Sequence, residues 1–400
     1  MLKWLMLTVY LLLDIYVLWR IIYWFKIVLP LFKNKGIQGV FVGIYLFFAS
    51  SIFWGAFLPK SAVQRAIHRF GNVWIATFIY MLFFIMLADL LVLVLKLINK
   101  KKTLPVFKRM RYTYLLGIAV TGLSVFFTVY GSIHARRIYT TKHTVEVNKE
   151  VKGMDELKIV LVADLHLGYS IGSRDMKRMV DKINAQNPDL VLYGGDIFDN
   201  DFDALNNPDR LVKILKNVKS KYGTYAVFGN HDVTETLVGG FSIASKHLAF
   251  RDSRMEEFLL DADITPLLDD VITIADEQIY LIGRLDREKA GDGTSDRMNI
   301  QNLTKDIDKD KVVLLLEHQP ANLHDIADSG VDVMLSGHTH AGQFFPLTIA
   351  QPFAWENPCG VLKVEDMYSV VTSGVGVYGP AVRVGTDSEV LSLTVKFHNQ

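Results

Sequence analysis

The sequence predicts a membrane-embedded helical domain of about four helices, followed by an α/β domain. Residues 1–137 are mostly apolar and aromatic, whereas the remainder has the mixed composition of a soluble domain. In that remainder, apolar runs rich in β-branched residues alternate with helical patterns, as in layered α/β domains. We therefore expect a transmembrane domain at 1–137, a connector at 138–156 and an α/β domain at 157–400.

The alternation at Thr144–Val147 predicts an edge strand within the connector. Ser173–Gln186 is typical of an amphipathic helix, with Met176, Met179, Val180 and Ile183 at helical spacing. The apolar stretch Val238–Ala249, which follows His231, is interpreted as a lid or a membrane-dipping element, with core packing as the alternative.

The N-terminal part contains about four apolar segments of a length suited to crossing a bilayer. They are Leu5–Ile27, Val40–Phe57, Val73–Leu97 and Tyr114–Ser132. A buried helical core is the weaker interpretation, because soluble helices of this length would show a polar face. A cleaved signal peptide also fits poorly, since the first segment is too long and further spans follow it.

Lys and Arg in the connections predict a multi-pass protein of the cell membrane with its α/β domain outside the cytoplasm. The basic residues of the third connection are Lys100, Lys101, Lys102, Lys108, Arg109 and Arg111, and those of the first are Lys33 and Lys35. The margin is modest, because the opposite side also carries Lys and Arg. The formal net charge of +1 gives no reason to expect a nucleic-acid partner.

Two acidic residues, Asp14 and Asp89, interrupt the apolar segments. Intramembrane charges are candidates for function, but pairing between helices, for example with Arg20, is the simpler interpretation. The connection at residues 59–70 is interpreted as a short amphipathic helix whose Arg65, His68 and Arg69 are available to anionic headgroups.

Five short motifs follow apolar runs in the second part of the chain, where the carboxyl ends of buried strands would gather ligands. The runs are Lys158–Ala163, Leu190–Tyr193, Thr224–Phe228, Val312–Leu316 and Val331–Leu335. The motifs are Asp164-Leu165-His166, Gly195-Asp196-Ile197-Phe198-Asp199, Gly229-Asn230-His231-Asp232, Glu317-His318-Gln319-Pro320 and Gly337-His338-Thr339-His340. Taken singly each motif is weak, but all five in order predict a two-metal phosphoesterase site.

The residue types fit that chemistry. Cleaving a phosphate ester needs a nucleophilic hydroxide at neutral pH and positive charge around the phosphoryl oxygens, which two divalent ions roughly 3.5–4 Å apart supply. Imidazoles and carboxylates hold such ions, and the absence of a thiolate in the set suits Mn, Fe or Zn without choosing among them.

The motif set resembles the calcineurin-like metallophosphoesterases over about residues 157–400. The resemblance implies a four-layer αββα sandwich and a hydroxide bridging the two metals. It implies that Asp164, His166 and His340 hold one metal, that Asn230, His318 and His338 hold the other, and that Asp196 bridges them. By the same resemblance, His231 is the general acid and Asp199 orients its imidazole and keeps it protonated.

Departures from the family pattern narrow the range of substrates to expect. Asn200 stands where the protein phosphatase branch has a phosphate-gripping Arg, which makes a Ser/Thr protein phosphatase a poor fit. The run from His338 to Gln343 and the ending around Ser373–Gly376, Arg383 and Ser388–Val390 are instead similar to a bacterial, membrane-attached branch. Arg284 or Arg287, after the predicted strand Gln278–Gly283, could grip the phosphate instead, although salt bridges are the simpler role for them.

The sequence thus predicts an integral membrane metallophosphoesterase whose substrate is a phosphoester or a pyrophosphate. A lipid or lipid-linked substrate at the outer face of the membrane would fit this prediction. One alternative is a membrane-anchored enzyme acting on soluble or cell-wall phosphates. Another is a signalling protein that only binds phosphate, against which the complete ligand set argues. A transporter with an accessory hydrolase domain has little support, because no repeat is recognisable. The sequence gives no reason to infer an obligate protein partner.

Overall fold

The chain divides into two units in the computed structural model, which describes residues 2–98, 106–238, 241–242, 249–294 and 296–398. The first unit contains residues 1–132 with 238–243 and 379–382, and the second contains 133–237, 244–378 and 383–400. Part of the basic third connection, residues 100–102, lies outside the described residues. So do residues 239–240 and 243–248 of the apolar loop that follows His231.

Four long helices form the first unit, and each contains one of the predicted spans. They are α1 (Leu2–Val28), α2 (Lys35–Phe57), α3 (Ala62–Ile98) and α4 (Val106–His134), with a 3₁₀ turn at Pro30–Lys33. By length and composition, three helical stretches of the described chain are able to cross a membrane: Lys35–Phe57, Ala62–Ile98 and Arg111–His134. Helix α1 is not one of these three.

Interhelical pairing accounts for both acidic residues in the apolar segments, as the simpler interpretation predicted. Asp89 forms an ion pair with Arg20 and accepts a hydrogen bond from Tyr16 Oη at 2.6 Å. Asp14 is buried and accepts from Tyr45 Oη at 2.6 Å. These contacts join α1 to α3 and α1 to α2, so they satisfy charges that would be costly beside lipid.

The connection after α2 does not form the separate amphipathic helix that the sequence predicted. Helix α3 begins at Ala62 and continues through the apolar span to Ile98. His68 is buried, so it is not available to headgroups. The reason is close packing: a Cβ atom on Gly55 of α2 would lie 2.8 Å from His68 Cα.

Two six-stranded mixed sheets form the framework of the second unit. The first has the order β1-β14-β2-β3-β4-β7 and the second β12-β13-β11-β10-β9-β8. The first-sheet strands are β1 (Ile138–Val147), β2 (Glu156–Val162), β3 (Leu190–Gly194), β4 (Thr224–Val227), β7 (Thr265–Pro266) and β14 (Ser388–Phe397). The second-sheet strands are β8 (Asp270–Ile274), β9 (Ile279–Gly283), β10 (Val312–Leu316), β11 (Val333–Ser336), β12 (Gly360–Val364) and β13 (Met367–Val371). Two short strands, β5 (Leu237–Val238) and β6 (Phe241–Ser242), pair separately.

The sheets pack face to face and helices cover their outer faces, which gives the expected αββα layers. The shared core combines Leu161 and Leu192 of the first sheet with Leu281 and Leu314 of the second. The helices are α5 (Ser173–Asn184), α6 (Pro208–Leu215), α7 (Ser253–Asp261), α8 (Ile300–Leu303), α9 (Leu323–Asp328) and α10 (Leu347–Ala354), with 3₁₀ turns at Phe202–Ala204 and His340–Gly342. Helix α5 buries Met176, Met179, Val180 and Ile183, the stripe that its sequence pattern predicted.

Strand β1 is longer than the alternation at Thr144–Val147 suggested. It runs for ten residues at the edge of the first sheet and pairs in parallel with β14 along its whole length. Only residues 135–137 separate it from the end of α4.

Candidate metal centre

The five motifs converge because each follows a strand whose carboxyl end lies at the same edge of the two stacked sheets. Strands β2, β3 and β4 are parallel neighbours in one sheet, and β10 and β11 are parallel neighbours in the other. Backbone hydrogen bonds join the loops: Asp164 N donates to Gly195 O at 2.9 Å, and Gly337 N donates to His318 O at 3.0 Å. The five motifs, which are far apart in the sequence, thereby lie together in one cluster.

Asp164, His166 and His340 form the first group of donors able to hold a cation, with ligand atoms within 4.8 Å of one another. His166 Nε2 lies 3.1 Å from His340 Nε2, and His340 Nε2 lies 3.7 Å from Asp164 Oδ1. All three side chains are buried. Asp164 also accepts two hydrogen bonds from His338 N, at 2.9 and 3.0 Å, which tie the first motif to the last.

Asp196, His318 and His338 form the second group. His318 Nε2 lies 3.1 Å from Asp196 Oδ2, and Asn230 Oδ1 lies 3.2 Å from His318 Nε2 and 3.1 Å from His338 Nδ1. His318 Nδ1 lies 2.7 Å from Gly194 O, which directs Nε2 and its lone pair toward the group. Asp196 Oδ2 is also 3.8 Å from His166 Nε2, so the carboxylate borders both groups.

The electrostatics of the cluster suit a cation. Burial, reinforced by the neighbouring His318, lowers the pKa of His338 to about 3, so this imidazole is neutral and able to ligate. Burial would raise the pKa of Asp196, but His318 and His231 outweigh it and hold that pKa well below its usual range. Burial also opposes protonation of His318, yet Asp196 raises its pKa well above the usual value. A proton and a cation would therefore compete for this pair.

The backbone around the cluster explains why the motifs contain glycine. A Cβ atom on Gly229 would lie 2.2 Å from Asp196 Oδ1, and one on Gly337 would lie 2.6 Å from Asp164 Oδ2. Several donor residues themselves adopt the left-handed conformation: Asp164, His166, Asp196, His338 and His340 have φ between 46° and 72°. Such conformations are costly for residues with side chains and concentrate at functional sites.

His231 lies beside both groups, but its predicted partner is different. Its Nδ1 lies 2.5 Å from Asn200 Oδ1, whereas Asp199 Oδ1 lies 3.6 Å from His166 Nδ1. The prediction that Asp199 orients His231 is therefore corrected, since Asn200 has that contact and Asp199 faces a residue of the first donor group. Successive residues of the loop face different sides, and Asn200 turns toward His231 with φ 56°.

Of the two arginines that the sequence predicted to grip phosphate, Arg284 has another role, and the role of Arg287 stays a prediction. Arg284 is buried and donates to Glu317 Oε2 at 2.7 Å, while Arg297 donates to the other oxygen of Glu317 at 2.7 Å. Glu317 is fully buried, so it needs these cations as partners. Arg287 is exposed to solvent. The prediction for Arg284 is thus replaced by a structural salt bridge, which was the simpler role.

Two residues that the sequence did not single out as site residues complete the surroundings. The Tyr378 ring centroid lies 4.4 Å from that of His231, and Gln343 clamps the Tyr378 backbone with hydrogen bonds of 2.7 and 2.9 Å. Asp232 is fully buried and accepts from Phe198 N and Gly229 N, each at 2.7 Å. Asp232 therefore joins the second and third motifs and serves as a loop clamp. In the sequence, the feature that could have identified Asp232 is its position directly after His231.

Arg383, which belongs to the C-terminal stretch that resembles the bacterial branch, is a further buried residue with a structural role. It is fully buried and donates to Ser373 O and Gly376 O, at 2.7 and 2.8 Å. Its guanidinium also lies 3.3 Å from His340 Nδ1. Burial, assisted by His166 and Arg383, holds the pKa of His340 well below its usual range.

The donors fit divalent cations. Each group combines imidazole nitrogens with carboxylate oxygen, and the donor atoms are close enough to share one ion. Such N and O donor sets suit Zn, Mn and Fe. When bound, the ions would lower the pKa of a water molecule and place positive charge at phosphoryl oxygens.

Comparisons with known proteins agree with this geometry. Residues 157–342 match the family model described as calcineurin-like phosphoesterase. An uncharacterized metallophosphoesterase of Campylobacter jejuni is 28% identical over 368 residues, covering 89% of this chain and 88% of its own. The transmembrane protein with metallophosphoesterase domain of Danio rerio is 30% identical over 266 residues, covering 63% of this chain. The chain spans 56% of the length of that fish relative.

A third relative comes from another bacterium. The uncharacterized metallophosphoesterase YkuE of Bacillus subtilis is 27% identical over 275 residues, which cover 66% of this chain and 87% of the relative. Matched motifs, stacked mixed sheets, two donor groups and these relatives all agree. Residues 157–342 therefore form a calcineurin-like phosphoesterase domain, typical of a metal-dependent phosphoester hydrolase, in a chain that also carries helices long and apolar enough to cross a membrane.

Proposed function

We propose that this protein is an integral membrane phosphoesterase that cleaves amphiphilic phosphoesters with two metal ions. Asp164, His166 and His340 would hold one ion, and Asn230, His318 and His338 would hold the other. Asp196, whose carboxylate borders both groups, would serve both ions. The closeness of Asn230 Oδ1 to both imidazoles of its set, 3.1 and 3.2 Å, supports its inclusion as a ligand.

The general acid in this proposal is His231, and neighbouring groups hold it in place. His231 delivers a proton to the departing oxygen, because its imidazole belongs to neither donor group and lies 5.3 Å, ring to ring, from His166. The Tyr378 ring packs against His231 and limits the positions that its imidazole adopts. Backbone N–H of His231 donates to Asp196 Oδ1 at 2.8 Å, which ties the acid to the bridging carboxylate.

The observation that supports an amphiphilic substrate is an exposed apolar helix beside the site. Helix α10 begins soon after His340, and Phe353, Ile349 and Leu347 in it are 89%, 59% and 50% exposed. No charged residue occurs from Ala341 to Trp355. The Trp355 ring lies 5.2 Å from that of His338, so this apolar segment adjoins the second donor group.

Apolar surface of this kind suits the hydrocarbon part of a substrate or a lipid interface. The connection to the membrane helices is also short, because residues 135–137 can span at most about 14 Å between α4 and β1. A short connection favours a site that works close to the headgroup layer. We place the site on the outer face of the membrane, following the distribution of Lys and Arg.

Surface dilution of full-length protein in detergent micelles tests the substrate. A panel of phospholipids and lipid-linked pyrophosphates identifies the best lipid, which is then diluted with detergent at constant bulk concentration. The rate should fall with the lipid's mole fraction, while turnover of a soluble aryl phosphate should not change. Removing residues 1–149 would be a poor comparison, because it deletes β1 from the sheet.

A pair of matched variants sharpens the test. Phe353→Ser should slow lipid hydrolysis severalfold and leave aryl phosphate turnover intact, while Leu260→Ser, which changes an exposed apolar residue of α7, should affect neither. Aryl phosphate turnover without lipid hydrolysis, or a lipid rate independent of mole fraction, would reject the amphiphilic substrate. The membrane helices would then anchor an enzyme for soluble or cell-wall phosphates.

A further inference from the structure

Asn200 is held on all sides by residues near His231. It is fully buried, and backbone hydrogen bonds run from Asn200 N to His231 O and from Glu235 N to Asn200 O, both 3.0 Å. Its side-chain oxygen lies 2.5 Å from His231 Nδ1. Its side-chain nitrogen donates to Val233 O and to Glu235 Oε2, both at 3.3 Å.

These contacts fix which way the Asn200 amide faces. A backbone carbonyl such as Val233 O accepts hydrogen bonds and cannot donate them. The NH₂ group must therefore face Val233 and Glu235, so the carbonyl oxygen must face His231. Because that oxygen can only accept, the proton between the two side chains belongs to His231 Nδ1.

Lys289 fixes the next member of the chain. Its ammonium, which has only donors, lies 2.7 Å from the same Glu235 Oε2 atom that accepts from Asn200. Glu235 and Lys289 are both buried, at 7% and 9% exposure. The backbone of Lys289 is held in turn, since Lys289 N donates to Asp286 Oδ1 at 2.9 Å. The sequence His231–Asn200–Glu235–Lys289 is thus a directed chain of hydrogen bonds.

We propose that Asn200 is the positioning residue for the general acid, and that Glu235 and Lys289 act through it by fixing its amide. The chain keeps the proton on Nδ1 of His231 and fixes the plane of the ring, so Nε2 is the nitrogen that exchanges a proton with the leaving oxygen. A neutral amide holds the imidazole here, while the carboxylate of Asp199 is used beside the metal ligand His166. The inference rests on the proposed role of His231.

The leaving group provides the test, because an ester with a good leaving group needs little proton transfer. Asn200→Ala in the full-length protein should slow hydrolysis of an alkyl phosphate about 10–100-fold, the usual cost of losing an outer hydrogen-bond partner. Hydrolysis of the matching aryl phosphate should slow far less, and bound metal should be unchanged. Asn302→Ala, which changes an exposed asparagine, should leave both rates as they are.

A charge-preserving exchange asks whether the accepting oxygen is the essential group. Asn200→Asp combined with Glu235→Gln keeps an acceptor at His231 and a donor between positions 200 and 235. The ratio of aryl to alkyl rates should stay close to that of the wild type. In Glu235→Gln with Lys289→Met, Val233 O still directs the amide but residue 235 no longer does, and both charges of the Glu235–Lys289 pair are removed. The alkyl rate should therefore fall selectively, but less than in Asn200→Ala.

These variants also separate the possible failures. Equal slowing on both esters, or loss of metal in a folded Asn200→Ala, would make Asn200 a merely structural residue. An exchange variant as selective as Asn200→Ala would also overturn the proposal. Where Asn200→Ala does not fold, the two paired variants decide. Failure of the proposed function looks different, because His231→Ala would then show no dependence on the leaving group.

Discussion

Asp196 is the residue whose replacement should remove metal and activity together. Its Oδ2 lies 3.1 Å from His318 Nε2 and 3.8 Å from His166 Nε2, so one carboxylate borders both donor groups. Asp196→Asn keeps the shape but loses the charge that two cations need. We expect bound metal, measured by elemental analysis, and aryl phosphate turnover to fall together. Full metal content with lost activity would contradict a bridging role.

His231→Ala should have the complementary effect. The imidazole lies beside the donor groups without belonging to either, so both metals should remain bound. Turnover of esters with poor leaving groups should slow by about 10²–10⁴, the usual contribution of a general acid. The loss should shrink as the leaving group improves. If the variant instead loses its metals, His231 is a ligand and the assigned role is wrong.

At this scale the sequence predicted which side chains lie together in the cluster, but not all of their hydrogen-bond partners. Asp164, Asp196 and His318 could be predicted because each directly follows a strand in a parallel arrangement. That Asn200, and not Asp199, contacts His231 could not be predicted, because it depends on which of two consecutive side chains turns toward the imidazole. A left-handed backbone at Asn200 decides that, and no residue pattern encodes it.

Among the loops that build the site, the turn containing Gly229 is tightly constrained by its neighbours. A Cβ atom there would lie 2.2 Å from Asp196 Oδ1 and 2.6 Å from Asp196 N. Gly229→Ala should therefore displace Asp196 and weaken metal binding by at least about 10-fold, roughly 1.4 kcal/mol or more. Isothermal titration with Mn²⁺ measures the change.

Gly172→Ala is the matched control. Gly172 precedes α5 with φ −157°, which any residue adopts, and a Cβ atom there would meet nothing within 4 Å. Its metal affinity should equal that of the wild type. Equal weakening in both variants would mean that general destabilisation, and not contact with Asp196, explains the effect at Gly229.

Elements were predictable where their pattern was local. Helix α5 and strands β2, β3, β4, β10 and β11 have uninterrupted patterns, and the structure has them within a few residues of the predicted bounds. Strand β1 shows clear alternation only at its end, because its earlier residues are partly exposed at an edge. Its register with β14, from Ile138 with Ser388 to Val147 with Phe397, joins residues about 250 positions apart in sequence. No local signal reveals such a pairing.

For the whole molecule, the two halves use different means to satisfy charged groups. In the helical unit, Arg20, Asp89 and Asp14 are paired through side chains of neighbouring helices. In the catalytic unit, buried acids surround candidate cation sites or carry paired cations, as Glu317 does with Arg284 and Arg297. The first arrangement would lower the cost of placing these helices in lipid. The second leaves negative charge available where metal ions would bind.

The side of the membrane on which the catalytic unit works is open to a labelling experiment. The positive-inside bias predicts that it lies outside, because the first and third connections are the more basic ones. Cys359 should be replaced by Ser first, because it is an exposed free thiol that could itself react with the reagent. In that background, cysteine at Lys177, an exposed position on α5, should react with a membrane-impermeant maleimide in intact cells. Cysteine at Lys101 should react only after the cells are permeabilised, which also serves as the control that both positions are reactive. The reverse pattern would put the catalytic unit in the cytoplasm and remove outer-leaflet and cell-wall phosphates as substrates.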